Sequence, residues 1–127
     1  MSPPSKESGP SGLRVLVVED EFLVADHVAM ILEDLGYEVI GPVPTIEDAL
    51  AAIECEALDG ALLDANLDGL SSAPVADALD ALAVPFVVAT GYGNLKLTAA
   101  ILENAPRVAK PFGQTDLART LSSAFAR

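Results

Sequence analysis

The apolar residues of this chain fall into short blocks of two kinds, and their alternation predicts the fold. Arg14-Val-Leu-Val-Val18 is a β-branched run without polar alternation, which suits a buried strand. It stops at Glu19-Asp20-Glu21. Val24, Val28, Ile31, Leu32 and Leu35 then recur at helical spacing, with Gly36 as the C-terminal stop. Glu38-Val-Ile40 predicts a second strand, and Thr45 caps a helix that runs to about residue 54. Asp59-Gly-Ala-Leu-Leu63 predicts a third strand, closed by Asp64.

Residues 65–69 read as a polar loop, followed by a helix over about 72–82 with Pro74 in its first turn, where proline is tolerated. Pro85-Phe-Val-Val-Ala89 predicts a fourth strand, closed by Thr90-Gly-Tyr-Gly93. Residues 95–103 predict a short, unusually apolar helix. Arg107-Val-Ala109 is a brief fifth strand ending at Lys110-Pro111, and residues 115–126 predict the last helix. Five βα units with uniformly apolar strands point to an α/β fold, a doubly wound five-stranded parallel sheet with helices on both faces. In such sheets ligands bind beyond the carboxyl ends of the strands, where the strand order reverses. The residues just after each strand therefore carry the functional reading.

Composition narrows the partners. The 127 residues include 19 Asp plus Glu against 7 Lys plus Arg, a formal charge of −12. That balance disfavours binding to nucleic acid or to an anionic membrane, since both need a basic face. The longest uncharged stretch, residues 81–95, contains Pro85, Gly91 and Gly93 and is too short and broken to span a membrane. Cys55 is the single cysteine, so no internal disulfide forms. Residues 1–12 are rich in Ser, Pro and Gly and read as a flexible tail, leaving 13–127 as one domain of a soluble, cytoplasmic protein.

The charge is also unevenly placed. Residues 13–80 hold sixteen acids and one cation, Arg14, whereas residues 81–127 hold two acids and five cations. Solvated helix faces account for most of these acids. They do not account for acids at the ends of apolar strands. Carboxylates gathered there repel, at about 4 kcal/mol for two unit charges 4 Å apart at an effective dielectric near 20. A hard divalent cation such as Mg²⁺ relieves that repulsion. Lys110 adds a second positive partner and Thr90 a hydroxyl donor, so Asp64 is placed to act as a carboxylate nucleophile toward phosphorus. Singly, each residue has a plainer reading: Asp20 and Glu21 as acids near a helix start, Glu19 as a solvated acid, Asp64 as a turn former, Lys110 as a surface charge, Thr90 as a cap. Their coincidence at sister strand ends favours the chemical one. His27 and Cys55 have no motif around them and read as a helix-packing residue and an incidental thiol.

The segments Val-Val-Glu19-Asp20-Glu21, Leu-Leu-Asp64-Ala-Asn66-Leu-Asp-Gly69, Thr90-Gly91 and Lys110-Pro111 resemble the receiver domain of bacterial response regulators, the CheY-like family with a flavodoxin-like (βα)5 fold. The resemblance covers residues 13–127. It implies that Asp64 accepts a phosphoryl group from a sensor histidine kinase or a phosphotransfer protein. It implies that Glu19, Asp20, Asp64 and the Asn66 backbone carbonyl hold Mg²⁺, and that Thr90 and Lys110 bind the phosphoryl oxygens. A cis Lys110–Pro111 bond and a switch built on Thr90, Tyr92 and Pro111 are implied as well. Pro85-Phe-Val-Val-Ala-Thr-Gly-Tyr-Gly93 is similar to the stand-alone receiver group named FAT GUY, with Val88 where that signature has Phe. That group is associated with kinases of the HWE and HisKA2 types. Arg107 stands where the family's last-strand aromatic is usual, which leaves Tyr92 to take that place.

The expectation is a phosphoacceptor signalling module rather than an enzyme. Only Arg127 follows the last predicted helix, so output would come by contact with a downstream protein or by acting as a phosphate sink. A pseudo-receiver that binds without phosphorylation is one alternative. A Mg²⁺-dependent aspartyl phosphohydrolase is another, against which Asn66 stands where those enzymes carry a second aspartate.

Overall fold

Strands without polar alternation need cover on both faces, and the computed structural model, which describes residues 12–91, 100–110 and 112–125, supplies it. The elements run β1 (Arg14–Val18), α1 (Phe22–Asp34), β2 (Glu38–Val43), α2 (Ile46–Cys55), β3 (Gly60–Asp64), β4 (Asn66–Leu67), β5 (Leu70–Ser71), α3 (Ala73–Ala81), β6 (Phe86–Thr90), α4 (Ala100–Glu103), β7 (Arg107–Ala109) and α5 (Gln114–Ala124). Five strands form one parallel sheet in the order β2-β1-β3-β6-β7. Successive side chains of β1 point to opposite faces, and each face has its own core. Val15 and Val17 pack with Val28, Ile31 and Leu32 of α1 and Leu117 and Leu121 of α5. Leu16 and Val18 pack with Ala49 and Ile53 of α2, Val75 and Leu79 of α3 and Leu102 of α4. Among the described residues, no helix is long and apolar enough to cross a membrane.

The chain leaves β1 for the β2 edge and returns across it to β3, so the order reverses between β1 and β3. Val18 pairs with Leu63, which sets the next residues, Glu19 and Asp64, side by side at the carboxyl edge. β2 runs three residues beyond its expected end at Ile40 and reaches Val43 through a cis Gly41–Pro42 bond. The pairing register shifts there, and the Glu19 N–H donates to the Val43 carbonyl at 3.0 Å. Gly41 has a φ of +92°, and a Cβ on it would lie 2.8 Å from the Val43 nitrogen and 3.2 Å from the Val17 carbonyl oxygen. Only glycine fits this close approach, and the approach fixes the backbone from which Glu19 projects.

Other departures from the sequence expectation are local. α1 begins at Phe22, two residues before the first periodic position, because Phe22 and Leu23 are exposed and carry no core signal. Residues 65–69 do not form a plain loop: Asn66–Leu67 and Leu70–Ser71 pair as a small antiparallel hairpin around Asp68 and Gly69. Thr45 caps α2 as expected, its side-chain oxygen accepting the Asp48 N–H at 3.0 Å. Of the expected 95–103 helix, the described part is α4. The tail residues 1–11, Tyr92 and Pro111 lie outside the described residues.

At the opposite, amino-terminal edge of the sheet, Arg14 ties three segments together. Its guanidinium meets Glu38 of β2 at 2.8 Å, Glu56 after α2, and the Ala57 carbonyl at 2.8 Å. Its own N–H donates to Asp59 Oδ2 at 2.8 Å. Substitution of Gly41 by alanine is expected to lower unfolding free energy by about 2 kcal/mol, from left-handed strain plus the backbone clash. Urea denaturation of the two proteins measures it, and an unchanged midpoint would contradict the packing described for Gly41.

Candidate functional site

Each carboxylate at the carboxyl edge is held by a main-chain or ammonium donor. Glu19 follows β1 and is only 5% exposed; Asp64 closes β3 and is 9% exposed. Lys110 follows β7, and its Nζ donates to Glu19 Oε1 at 2.8 Å and to Asp64 Oδ2 at 3.0 Å. The remaining Glu19 oxygen, Oε2, accepts the Glu21 N–H at 3.1 Å, and Asp64 Oδ1 accepts the Asn66 N–H at 3.2 Å. Asp20, half-buried, accepts the Asp68 N–H at 2.9 Å through Oδ2. Thr90 closes β6 in a buried position, and its carbonyl accepts the Lys110 N–H at 2.7 Å. Every strand of this edge except β2 therefore contributes one of the residues singled out in the sequence.

Glu19, Asp20 and Asp64 each offer one carboxylate oxygen, and these atoms lie within 4.8 Å of one another. Three hard oxygen donors converging this closely suit a divalent cation that keeps several waters, such as Mg²⁺, better than any thiolate- or imidazole-preferring metal. A cleft of about 780 Å³ opens over Asp20 and Asp64. Asp20, Asp64, Asn66 and Lys110 line its polar side, and Leu23 and Phe112 its apolar side. His27 also borders it and is exposed on α1, so it is not the helix-packing residue that its position suggested. Asn66 enters the local network through its N–H and through its side-chain Oδ1, which accepts the Gly69 N–H at 2.8 Å.

Burial raises the Glu19 carboxyl above its ordinary range; the Lys110 hydrogen bond opposes this, and the Asp64 charge adds to it. Burial pulls Lys110 down, but its bonds to Glu19 and Asp64 outweigh that and leave it raised, so the ammonium stays protonated through neutral pH. The main-chain donors from Glu21 and Asp68 were not foreseen. The Asp68-Gly69 pair was the available signal, because such a dipeptide favours a two-residue hairpin turn.

The comparisons with known proteins agree on one family. The model of the response regulator receiver domain matches residues 15–122. The phyllosphere-induced regulator PhyR of Methylorubrum extorquens is 34% identical over 114 residues, 87% of this chain and 43% of PhyR. The chain spans less than half the length of the first curated relatives it matches. The solution structure of SdrG from Sphingomonas melonis Fr1 superposes with a TM-score of 0.80 at 38% identity, covering 91% of this chain and 98% of SdrG. The receiver domain of the sensor histidine kinase PA1611 from Pseudomonas aeruginosa PAO1 superposes with a TM-score of 0.79 at 25% identity, covering 92% and 100%. That crystal structure has a magnesium ion coordinated in its active site cleft.

The raised Glu19 carboxyl has a sign that can be checked. Folding favours its protonated form, so its contribution to stability is present below its unfolded pKa and is lost as pH rises through the raised folded value. In metal-free buffer, Glu19→Gln is therefore expected to be more stable than the parent at pH 7. The gap should shrink as pH falls through the raised value. Paired urea titrations at several pH values measure this; a gap independent of pH would mean that Glu19 is not shifted upward.

Proposed function

The chain belongs to the response regulator receiver domain family, and on that premise we propose that it is a single-domain response regulator phosphorylated on Asp64. Receiver domains bind Mg²⁺ at an acidic site and are phosphorylated by histidine kinases or phosphotransfer proteins. The observation that carries the reading is the Asp64 carboxylate, which lies against the Lys110 ammonium and within 4.8 Å of carboxylate oxygens of Glu19 and Asp20. The domain comprises residues 13–127, with 1–12 as a tail, and acts in the cytoplasm. The donor is a histidine kinase, of the HWE or HisKA2 type that the sequence resemblance implies, or a phosphotransfer protein.

In this mechanism an Asp64 oxygen attacks the phosphorus of a phosphohistidine. The P–N bond breaks, its electron pair stays on the donor imidazole, and an aspartyl phosphate forms. Lys110 neutralises charge on the transferred group, and the Thr90 hydroxyl donates to one of its oxygens. Glu19, Asp20, Asp64 and the Asn66 carbonyl would hold Mg²⁺, which supplies charge neutralisation on the phosphoryl oxygens when bound. Asp64 phosphorylation then biases a switch built on Thr90, Tyr92 and Pro111. Output follows by contact with a downstream protein or by draining phosphoryl groups from the kinase, without nucleic-acid or membrane binding.

A second reading, a phosphorylation-independent pseudo-receiver, has one observation in its favour: position 107 on β7 holds an exposed arginine in place of the family's aromatic. Intact-mass measurement after incubation with Mg²⁺ and acetyl phosphate separates the two. One phosphoryl adduct on the parent and none on Asp64→Asn is expected. No adduct on either selects the pseudo-receiver, and steady turnover of unrelated phosphoesters selects a phosphohydrolase. Lys110→Ala is expected to slow adduct formation about 100-fold, the scale of losing one preorganised donor at a developing charge. An unchanged rate would remove Lys110 from the chemistry.

A further inference from the structure

We propose that the β4–β5 hairpin is a positioning element for Asp20, fixing through the Asp68 main-chain N–H which oxygen of that carboxylate faces the ion. The inference rests on the metal-assisted reading of the site. Asp20 sits in the short link between β1 and α1, just before the N-cap residue Glu21. Its Oδ2 accepts an N–H from a residue 48 positions later, at 2.9 Å. That N–H belongs to the turn of the hairpin, where Asp68 and Gly69 both have positive φ, +52° and +85°. With Oδ2 held by this donor, Oδ1 would be the oxygen left for the ion.

The hairpin is braced so that its turn stays in place. The Asn66 N–H donates to Asp64 Oδ1, and the Gly69 N–H closes onto the Asn66 side-chain oxygen. Leu67 is buried among the residues of the α2–α3 face. At the far end, the Ser72 N–H and hydroxyl both donate to the Ala65 carbonyl, at 3.0 and 3.2 Å. The two carboxylates on adjacent strand ends are thus each oriented by a donor from the same six-residue unit. Ligating carboxylates depend on such outer hydrogen bonds for orientation.

Position 69 allows a clean test. A methyl group added there would meet no atom within 4 Å, so alanine perturbs the backbone conformation of the turn and nothing else. Asparagine tolerates the left-handed region better than alanine and serves as the conservative rescue. Isothermal titration of MgCl₂ into the full chain is expected to give about tenfold weaker binding for Gly69→Ala. Gly69→Asn and Asp68→Gly, which keep the turn and its N–H, are expected to bind as the parent does. In ¹H–¹⁵N spectra the Asp68 amide resonance should move in Gly69→Ala and hold its position in the two controls. If Gly69→Ala fails to fold, Asn66→Ala, which removes the acceptor beneath the Gly69 N–H, should give the same weakening. Parent-like Mg²⁺ affinity in the folded turn variant overturns the positioning role alone, as does equal weakening in Gly69→Ala and Gly69→Asn. A parent protein that takes up no Mg²⁺ overturns the metal reading and this inference with it.

Discussion

Lys110 bridges Glu19 and Asp64, and the carboxyl edge of the sheet depends on that bridge. Two buried acidic residues on adjacent strands would otherwise face each other with no compensating charge. Removing the ammonium would leave two buried carboxylates uncompensated, which is strongly destabilising. The ammonium reaches both acids because β7 ends at the same edge as β1 and β3. Its own N–H is fixed by the Thr90 carbonyl. Charge balance and backbone pairing therefore converge on one residue.

The acids reach that edge through topology. Parallel strands all end on one side, and reversal of the order between β1 and β3 opens a gap between helices on opposite faces. Glu19 and Asp64 are the next residues after a directly paired Val18 and Leu63. Gly41 and the extended end of β2 hold the Glu19 backbone from the other side. The uncompensated excess that remains, with Asp20 beside the pair, is what makes the edge receptive to a cation.

Most of the architecture could be read from apolar spacing, because the sheet strands carry charge only at their ends and each of the longer helices repeats its core positions at helical intervals. Strand ends were legible for the same reason: charge stops the runs at Glu19, Asp64 and Lys110. What escaped was structure made by backbone donors. The hairpin has strands of two residues, too short for any periodicity, and only its Asp-Gly turn hinted at it. The N–H groups that orient Asp20 and Glu19 carry no sequence identity at all. Phe22 and Leu23 escaped because their side chains face solvent, and His27 because exposure, not pattern, places it beside the cleft.

Arg14 was visible as the first residue of a strand and the lone cation of an acidic half, and its contacts with Glu38, Glu56, Ala57 and Asp59 give that position a meaning. It stitches β2, the end of α2 and the start of β3 at the edge remote from the carboxylates. Cohesion and chemistry thus occupy opposite ends of the same strands, separated by the apolar residues of the two cores. Such a division frees the two ends to diverge independently: the reactive rim can be retuned for a new partner without loosening the scaffold, and the scaffold can be hardened without disturbing the rim.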